Sequence, residues 1–154
     1  MARAAALIVN DGQIALIERR GSQRGALYYL FPGGQVEDSE PPDAAAVREV
    51  EEELGLRVAV DRLVARGAYK GGVQYYFTAH ILFTAHILGG RFGAGRGPEM
   101  VGPNAPDAGT YAAVWMPIGD LPRLPVYPPE VAALVARAVD EGWPHKAVAV
   151  DNDG

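Results

Sequence analysis

The chain has 154 residues, of which 49% are hydrophobic and 21% charged, a balance that suits one folded domain and excludes a disordered or fibrous class. Its formal net charge of -5 argues against a broad nonspecific grip on nucleic acid or anionic membrane, so an anionic substrate would need metal ions or clustered arginines to offset repulsion. The absence of cysteine excludes disulfides, thiolate nucleophiles and cysteine-ligated zinc.

The first apolar run, Ala4 to Val9, is stopped by Asn10-Asp11-Gly12, a turn signal that predicts a hairpin with the run Gln13 to Glu18. That first run is too short for a signal-peptide core, and no later run approaches membrane-spanning length, so a cytoplasmic setting is the expectation. Arg19 to Gly25 reads as a loop. Leu27 to Phe31 reads as a strand that Pro32-Gly33-Gly34 stops. Asp43 to Leu54 has helical periodicity, with Val47, Val50 and Leu54 as its buried stripe. Pro41 and Pro42 suit its first turn, and Gly55 supplies the stop.

Arg57 to Ala68, Val73 to Leu88 and Thr110 to Met116 read as strands, with a Gly- and Pro-rich loop from Gly89 to Gly109. A second helix is expected from Pro128-Pro129 to about Asp140, and the tail from about residue 143 is weakly specified. These elements predict a single domain over residues 1–154, of mixed α/β (α+β) class, with helices packed on the faces of a mixed sheet. Phe77 to Leu82 repeats at once as Phe83 to Leu88. One strand through both copies would run roughly 53 Å, against a radius of gyration of about 15 Å for a domain this size. The strand is therefore expected to break or bulge there, or to protrude and pair with another subunit.

The chemistry concentrates in residues 33–56, GGQVEDSEPPDAAAVREVEEELGL. Glu49, Glu52 and Glu53 stand at i, i+3 and i+4, so their carboxylates share one helix face while Glu51 points elsewhere. Clustered carboxylates repel unless a cation sits among them, and hard divalent ions with oxygen ligands meet that need. A bare acidic helix face is more often only solvated surface. The flanking residues change that balance. Gly34, Glu40, Arg48-Glu49-Val50, Glu52-Glu53, Gly55 and Leu56 stand at the spacing G-x5-E-x7-R-E-U-x-E-E-x-G-U, where U is a bulky aliphatic residue. In this segment the chain resembles the Nudix hydrolase family, and softer likeness extends from Leu30-Phe31-Pro32 to Trp115-Met116-Pro117 and the last helix.

The resemblance implies a mixed β-sheet sandwiched between α-helices, with the motif forming loop-helix-loop. It implies that Glu49, Glu52 and Glu53, joined by the Gly33 backbone carbonyl, hold Mg2+, with Mn2+ as a substitute. It implies that Arg48 orients the glutamates and that Glu40 pairs with Arg48 and braces the loop. The implied reaction is attack of water on phosphorus in a nucleoside diphosphate linked to another group, with Glu52 or Glu53 as base. Family members also use a glutamate from a later loop, for which Glu99 is the candidate here.

The substrate is expected to be a small nucleotide-type molecule, with neither a membrane nor a long nucleic acid as partner and with a homodimer compatible with the family. A nucleoside triphosphate, a nucleotide sugar, ADP-ribose or a dinucleoside polyphosphate all remain open, because neither a proline nor a tyrosine stands about sixteen residues past the motif, where Gly72 lies. Tyr28, Tyr29, Tyr69, Tyr75, Tyr76 and Trp115 are candidates for stacking a base, and Arg19, Arg20 and Arg24 for meeting phosphate. No histidine is assigned a role. The rival reading is a non-hydrolytic nucleotide sensor on the same fold, which an intact motif disfavours.

Overall fold

The computed structural model describes residues 1–21, 27–82 and 110–150. In chain order its elements are β1 (Arg3–Asn10), β2 (Gln13–Arg20), β3 (Tyr28–Leu30), β4 (Gly33–Gln35), α1 (Pro42–Leu54), β5 (Val58–Tyr69), β6 (Gly72–Ile81), β7 (Thr110–Pro117), a 3-10 helix (Ile118–Arg123), β8 (Val126–Tyr127), α2 (Pro129–Glu141) and β9 (Val148–Val150).

Two hairpins set the register. Asp11 and Gly12 both take positive φ, 52° and 73°, and join Asn10 to its partner Gln13. This is the two-residue turn whose twist matches that of the flanking strands. Lys70 and Gly71 do the same between Tyr69 and Gly72, with φ of 46° and 80°.

The strand order is β8-β3-β2-β1-β6-β5-β9, with β4 added on β1 and β7 on β2. β1 runs parallel to β6 along one edge, and its other edge is shared by β4 and the start of β2. One group of strands (β4, β1, β6, β5, β9) and another (β3, β2, β7, β8) therefore meet through the first hairpin. A cross-strand irregularity in β5, at Val60/Arg62 and Leu63/Ala65, marks two bulges.

Both faces of this sheet are covered, which is why β1 and β2 are apolar along their length rather than alternating with polar residues. Ala6, Ile8, Ala15 and Ile17 pack against Val50, Leu54 and Leu56 on the α1 side. Leu7, Ile14, Leu16 and Val64 pack against Val131, Leu134 and Val135 on the α2 side. Each large aliphatic side chain so buried contributes about 1.5–3 kcal/mol.

Four elements differ from the sequence expectation. Gly33–Gln35 is a strand rather than a stop, because it is held by pairing with Arg3–Ala5 and not by its own propensity. The 3-10 helix and β8 interrupt what reads as one connection before α2. The weakly specified tail supplies β9, parallel to Ala65–Gly67. In line with the break expected in the repeat, the strand starting near Val73 ends at Ile81, inside the first FTAHIL copy, although Leu82 still donates its N–H to the Arg57 carbonyl. The second copy (83–88), Glu99 and Arg24 lie outside the described residues. Among the described residues no helix is long and apolar enough to cross a membrane.

Candidate active site

α1 begins at a pair of prolines, carries Asp43 in its first turn and ends where Gly55, at φ 72°, donates its N–H to the Glu51 carbonyl. Val50 and Leu54 are fully buried under it, which fixes its rotation about its own axis. Glu49 and Glu53 then face inward beside β4 and are buried, while Glu52 remains half-exposed.

β4 meets α1 through an alternation of backbone groups. The Pro32 carbonyl accepts the Ala6 N–H of β1, and the Val36 N–H donates to the Ala2 carbonyl just before it. The residues between them turn the other way: the Gly33 N–H donates to Glu53 Oε1 at 2.7 Å, and the Gln35 carbonyl accepts from Arg48 Nη2 at 2.9 Å. In an extended strand a residue's N–H and C=O share one side, so the Gly33 carbonyl is also directed toward the α1 carboxylates. Glycine is needed at both positions for close approach. A Cβ on Gly33 would lie 2.6 Å from the Ala5 Cα, and one on Gly34 would lie 2.6 Å from Glu49 Oε2.

Arg48 is the centre of the cluster. Its Nε donates to Glu40 Oε2 at 2.9 Å and its Nη2 to Glu40 Oε1 at 3.1 Å, a bidentate pairing. Its Nη1 donates to Glu49 Oε1 at 2.9 Å and, more weakly, to Glu52 Oε2 at 3.3 Å. Glu40 Oε1 also accepts the Glu37 N–H at 3.0 Å, and Glu37 lies 3.7 Å from Nη1. The hydrogen bonds from Arg48, and then the one from the Glu37 backbone, hold the Glu40 carboxyl below its usual range. The same bond to Glu40, reinforced by Glu49, pushes the Arg48 guanidinium further toward its charged form.

One guanidinium among four carboxylates within 3.7 Å leaves these five residues at a formal charge of -3. That surplus, presented by oxygen donors alone, suits a hard divalent cation. The donor chemistry therefore fits such an ion, with Glu49, Glu52, Glu53 and the Gly33 carbonyl as the groups able to hold it. Among the described residues, no three His, Asp or Glu side chains already stand as a ready-made metal cage, since Arg48 engages Glu49 and Glu52.

The structure brings Gly33, Glu40, Arg48, Glu49, Glu52 and Glu53 together. Glu37 and the Gln35 carbonyl join them unannounced by sequence. Glu37 reads as one of several loop acids, and a backbone carbonyl leaves no sequence signal. Of the other candidates, Tyr29 is buried on the α2 side, where burial and Glu18 raise its phenol pKa. Tyr76 is buried edge-on against Phe31, Tyr75 stacks with Phe77, and Arg20 pairs with Glu18. His80 lies 2.7 Å from Asp61, away from the cluster. Tyr111, which the sequence did not single out, has the Arg19 guanidinium 4.0 Å from its ring centroid.

Comparison with known proteins agrees with this geometry. Residues 1–137 match the family described as the NUDIX domain. A CTP pyrophosphohydrolase from Escherichia coli is 43% identical over 40% of this chain and 45% of that protein. An 8-oxo-dGTP diphosphatase from Haemophilus influenzae is 46% identical over 34% of this chain and 40% of that protein. The matched segments thus span less than half the length of these relatives. The crystal structure of an ADP-ribose pyrophosphatase from Streptococcus suis superposes with a TM-score of 0.64 at 23% identity, covering 97% of this chain and 98% of that one, which shows the shared fold. With a matching family over most of its length and an intact motif on α1, the chain belongs to the Nudix family, and its fold is the mixed α+β fold of that family.

Proposed function

We propose that the protein is a divalent-metal-dependent hydrolase of a diphosphate linkage in a nucleotide-type small molecule, with Mg2+ as the ion and Mn2+ as its substitute. The observation that carries this reading is the Arg48 cluster: buried Glu49 and Glu53 and half-exposed Glu52, held on one helix face against a strand of two glycines. The names carried by the relatives, a CTP pyrophosphohydrolase and an 8-oxo-dGTP diphosphatase, support the same bond type. When bound, the ion would neutralise the diphosphate and make a water more acidic.

The chain's own groups supply the rest. Arg48 anchors Glu49 to the Glu40 brace, so that Glu49 keeps one orientation. Glu53 is buried and accepts the Gly33 N–H, so its carboxylate is held in one orientation, which suits it to hold a cation. Glu52 is more exposed and only weakly tied to Arg48, which makes it the better base. In the step proposed, the water oxygen bonds to phosphorus as its proton passes to a Glu52 carboxylate oxygen. The bridging P–O bond breaks, and the leaving phosphate departs with that electron pair.

The test is product release across nucleoside triphosphates, nucleotide sugars, ADP-ribose and dinucleoside polyphosphates, with Mg2+ and with chelator. Metal-dependent turnover of at least one is expected, with Glu52→Gln lowering kcat by about 100- to 10,000-fold while the melting transition is kept. Absence of turnover by folded protein that binds Mg2+ would favour the sensor reading instead. A Glu52→Gln variant with normal kcat would move the base to another residue.

A further inference from the structure

We propose that Arg19, Tyr111 and Trp115 form the base-binding subsite of this chain, a stacking platform for the planar base of a nucleotide whose diphosphate lies at the α1 glutamates. The inference rests on the hydrolase reading above and names the part of the substrate that the Nudix motif does not specify.

The placement follows from register. Arg19 on β2 is paired across to Tyr28 on β3 and to Tyr111 on β7, so the three form one row across the sheet. Ile17 and Ala15, two and four residues before Arg19, face α1, and strand alternation puts the row on that same face. α1 lies mainly over β1, β4, β5 and β6, so the β2–β7 part of the face extends beyond the helix. On β7 the three positions facing that way, Tyr111, Ala113 and Trp115, are each only half-buried, yet they pack on the cluster that contains Val47, Val50 and Leu54. The shelf therefore lies on the face of the sheet that α1 covers, sharing with that helix the cluster built on Val50 and Leu54.

Its chemistry is that of a base platform. The Arg19 guanidinium lies 4.0 Å from the Tyr111 ring centroid and 5.7 Å from that of Tyr28, and its Nε is shut off from solvent, so a cation is held against two rings. Tyr28 is itself fixed, buried and set edge-on to Tyr127 at 6.2 Å. Aromatic rings and guanidinium planes stack nucleobases, and a cation at the stack favours their electron-rich faces. Between Tyr111 and Trp115 on this face stands Ala113, which carries only a methyl group. In a chain of net charge -5, a cation fixed on the α1 face of the sheet is placed to meet an electron-rich, anionic ligand.

The experiment uses the best substrate found in the panel above and variants at Tyr111. Tyr111→Leu should raise KM about 5- to 150-fold, with kcat changed by less than about threefold, while Tyr111→Phe keeps both. In Trp143→Phe protein, where Trp115 is the remaining tryptophan, the same nucleotide with chelator should quench fluorescence saturably, and Tyr111→Leu should abolish the effect. Folded Tyr111→Leu protein with a KM within about twofold of wild type overturns the proposal. Should Tyr111→Leu fail to give a cooperative melt, Arg19→Gln carries the same expectation and the same refutation. If the panel shows no turnover at all, the hydrolase reading fails. The quenching titration across the panel then decides this subsite alone: saturable quenching supports it and none overturns it.

Discussion

Replacing Gly34 by alanine isolates how the backbone of β4 positions Glu49. The added Cβ would stand 2.6 Å from Glu49 Oε2, inside any real carbon–oxygen contact, and Glu49 is held from the other side by Arg48 Nη1 at 2.9 Å. Either the carboxylate turns away and loses a charge-assisted hydrogen bond, or β4 shifts and strains its pairing with Ala4. A hydrogen bond to a charged group contributes about 1.5–3 kcal/mol, and Gly→Ala returns about 0.4–1 kcal/mol through the unfolded chain. The net expectation is a loss of about 1–2 kcal/mol in chemical denaturation, with kcat/KM down by about 10- to 100-fold because the carboxylate proposed to hold the cation is displaced.

The decisive assay is a double-mutant cycle. If the methyl acts by striking Glu49, Gly34→Ala placed in a Glu49→Ala background should cost less than about 0.5 kcal/mol. Losses that add across the two sites would refute the steric argument, as would normal stability and activity in the single variant.

Three further outcomes follow from the same geometry. Because Glu40 is held below its ordinary carboxyl pKa of 4.5, the stability it contributes is complete above that value and is lost as pH falls through the lower folded value. The melting-temperature gap between wild type and Glu40→Gln should therefore be widest near neutrality and close on acidification; a gap independent of pH would contradict the pairing. Arg48→Lys keeps the charge, but an ammonium cannot reach Glu40, Glu49 and the Gln35 carbonyl together, so stability should fall by on the order of 1–3 kcal/mol and activity with it. Wild-type denaturation and kinetics in the lysine variant would show the fork geometry to be dispensable. Leu54→Ala, at a fully buried position under α1, should cost about 2–5 kcal/mol in denaturant unfolding, and a cost below about 1 kcal/mol would mean that α1 is not anchored by its apolar stripe.

Much of this fold was legible because its signals are local. Asp11-Gly12 demands positive φ at two successive residues, and the tight hairpin follows. Pro42, Gly55 and the stripe through Val50 and Leu54 delimit α1 within about one residue of expectation. The spacing of Glu49, Glu52 and Glu53 puts them on one helix face in any context.

What sequence could not display is whatever depends on distant partners. Gly33–Gln35 has no strand propensity and becomes β4 only because Arg3–Ala5 lies beside it. Val148–Val150 likewise becomes β9 only beside Ala65–Gly67. The division of labour among the glutamates is also tertiary. Identical side chains differ because Glu49 and Glu53 turn under α1 toward β4 while Glu52 faces outward. The Arg19–Tyr111 contact joins residues separated by 92 positions and exists only through the β2–β7 register. Helix caps, turns and i, i+3, i+4 spacing are determined by neighbours along the chain, so the sequence alone determined the hairpin, the two helices and the acidic face. Strand partners, burial and cross-strand stacking depend on which segments meet in space, and those only the tertiary structure decided.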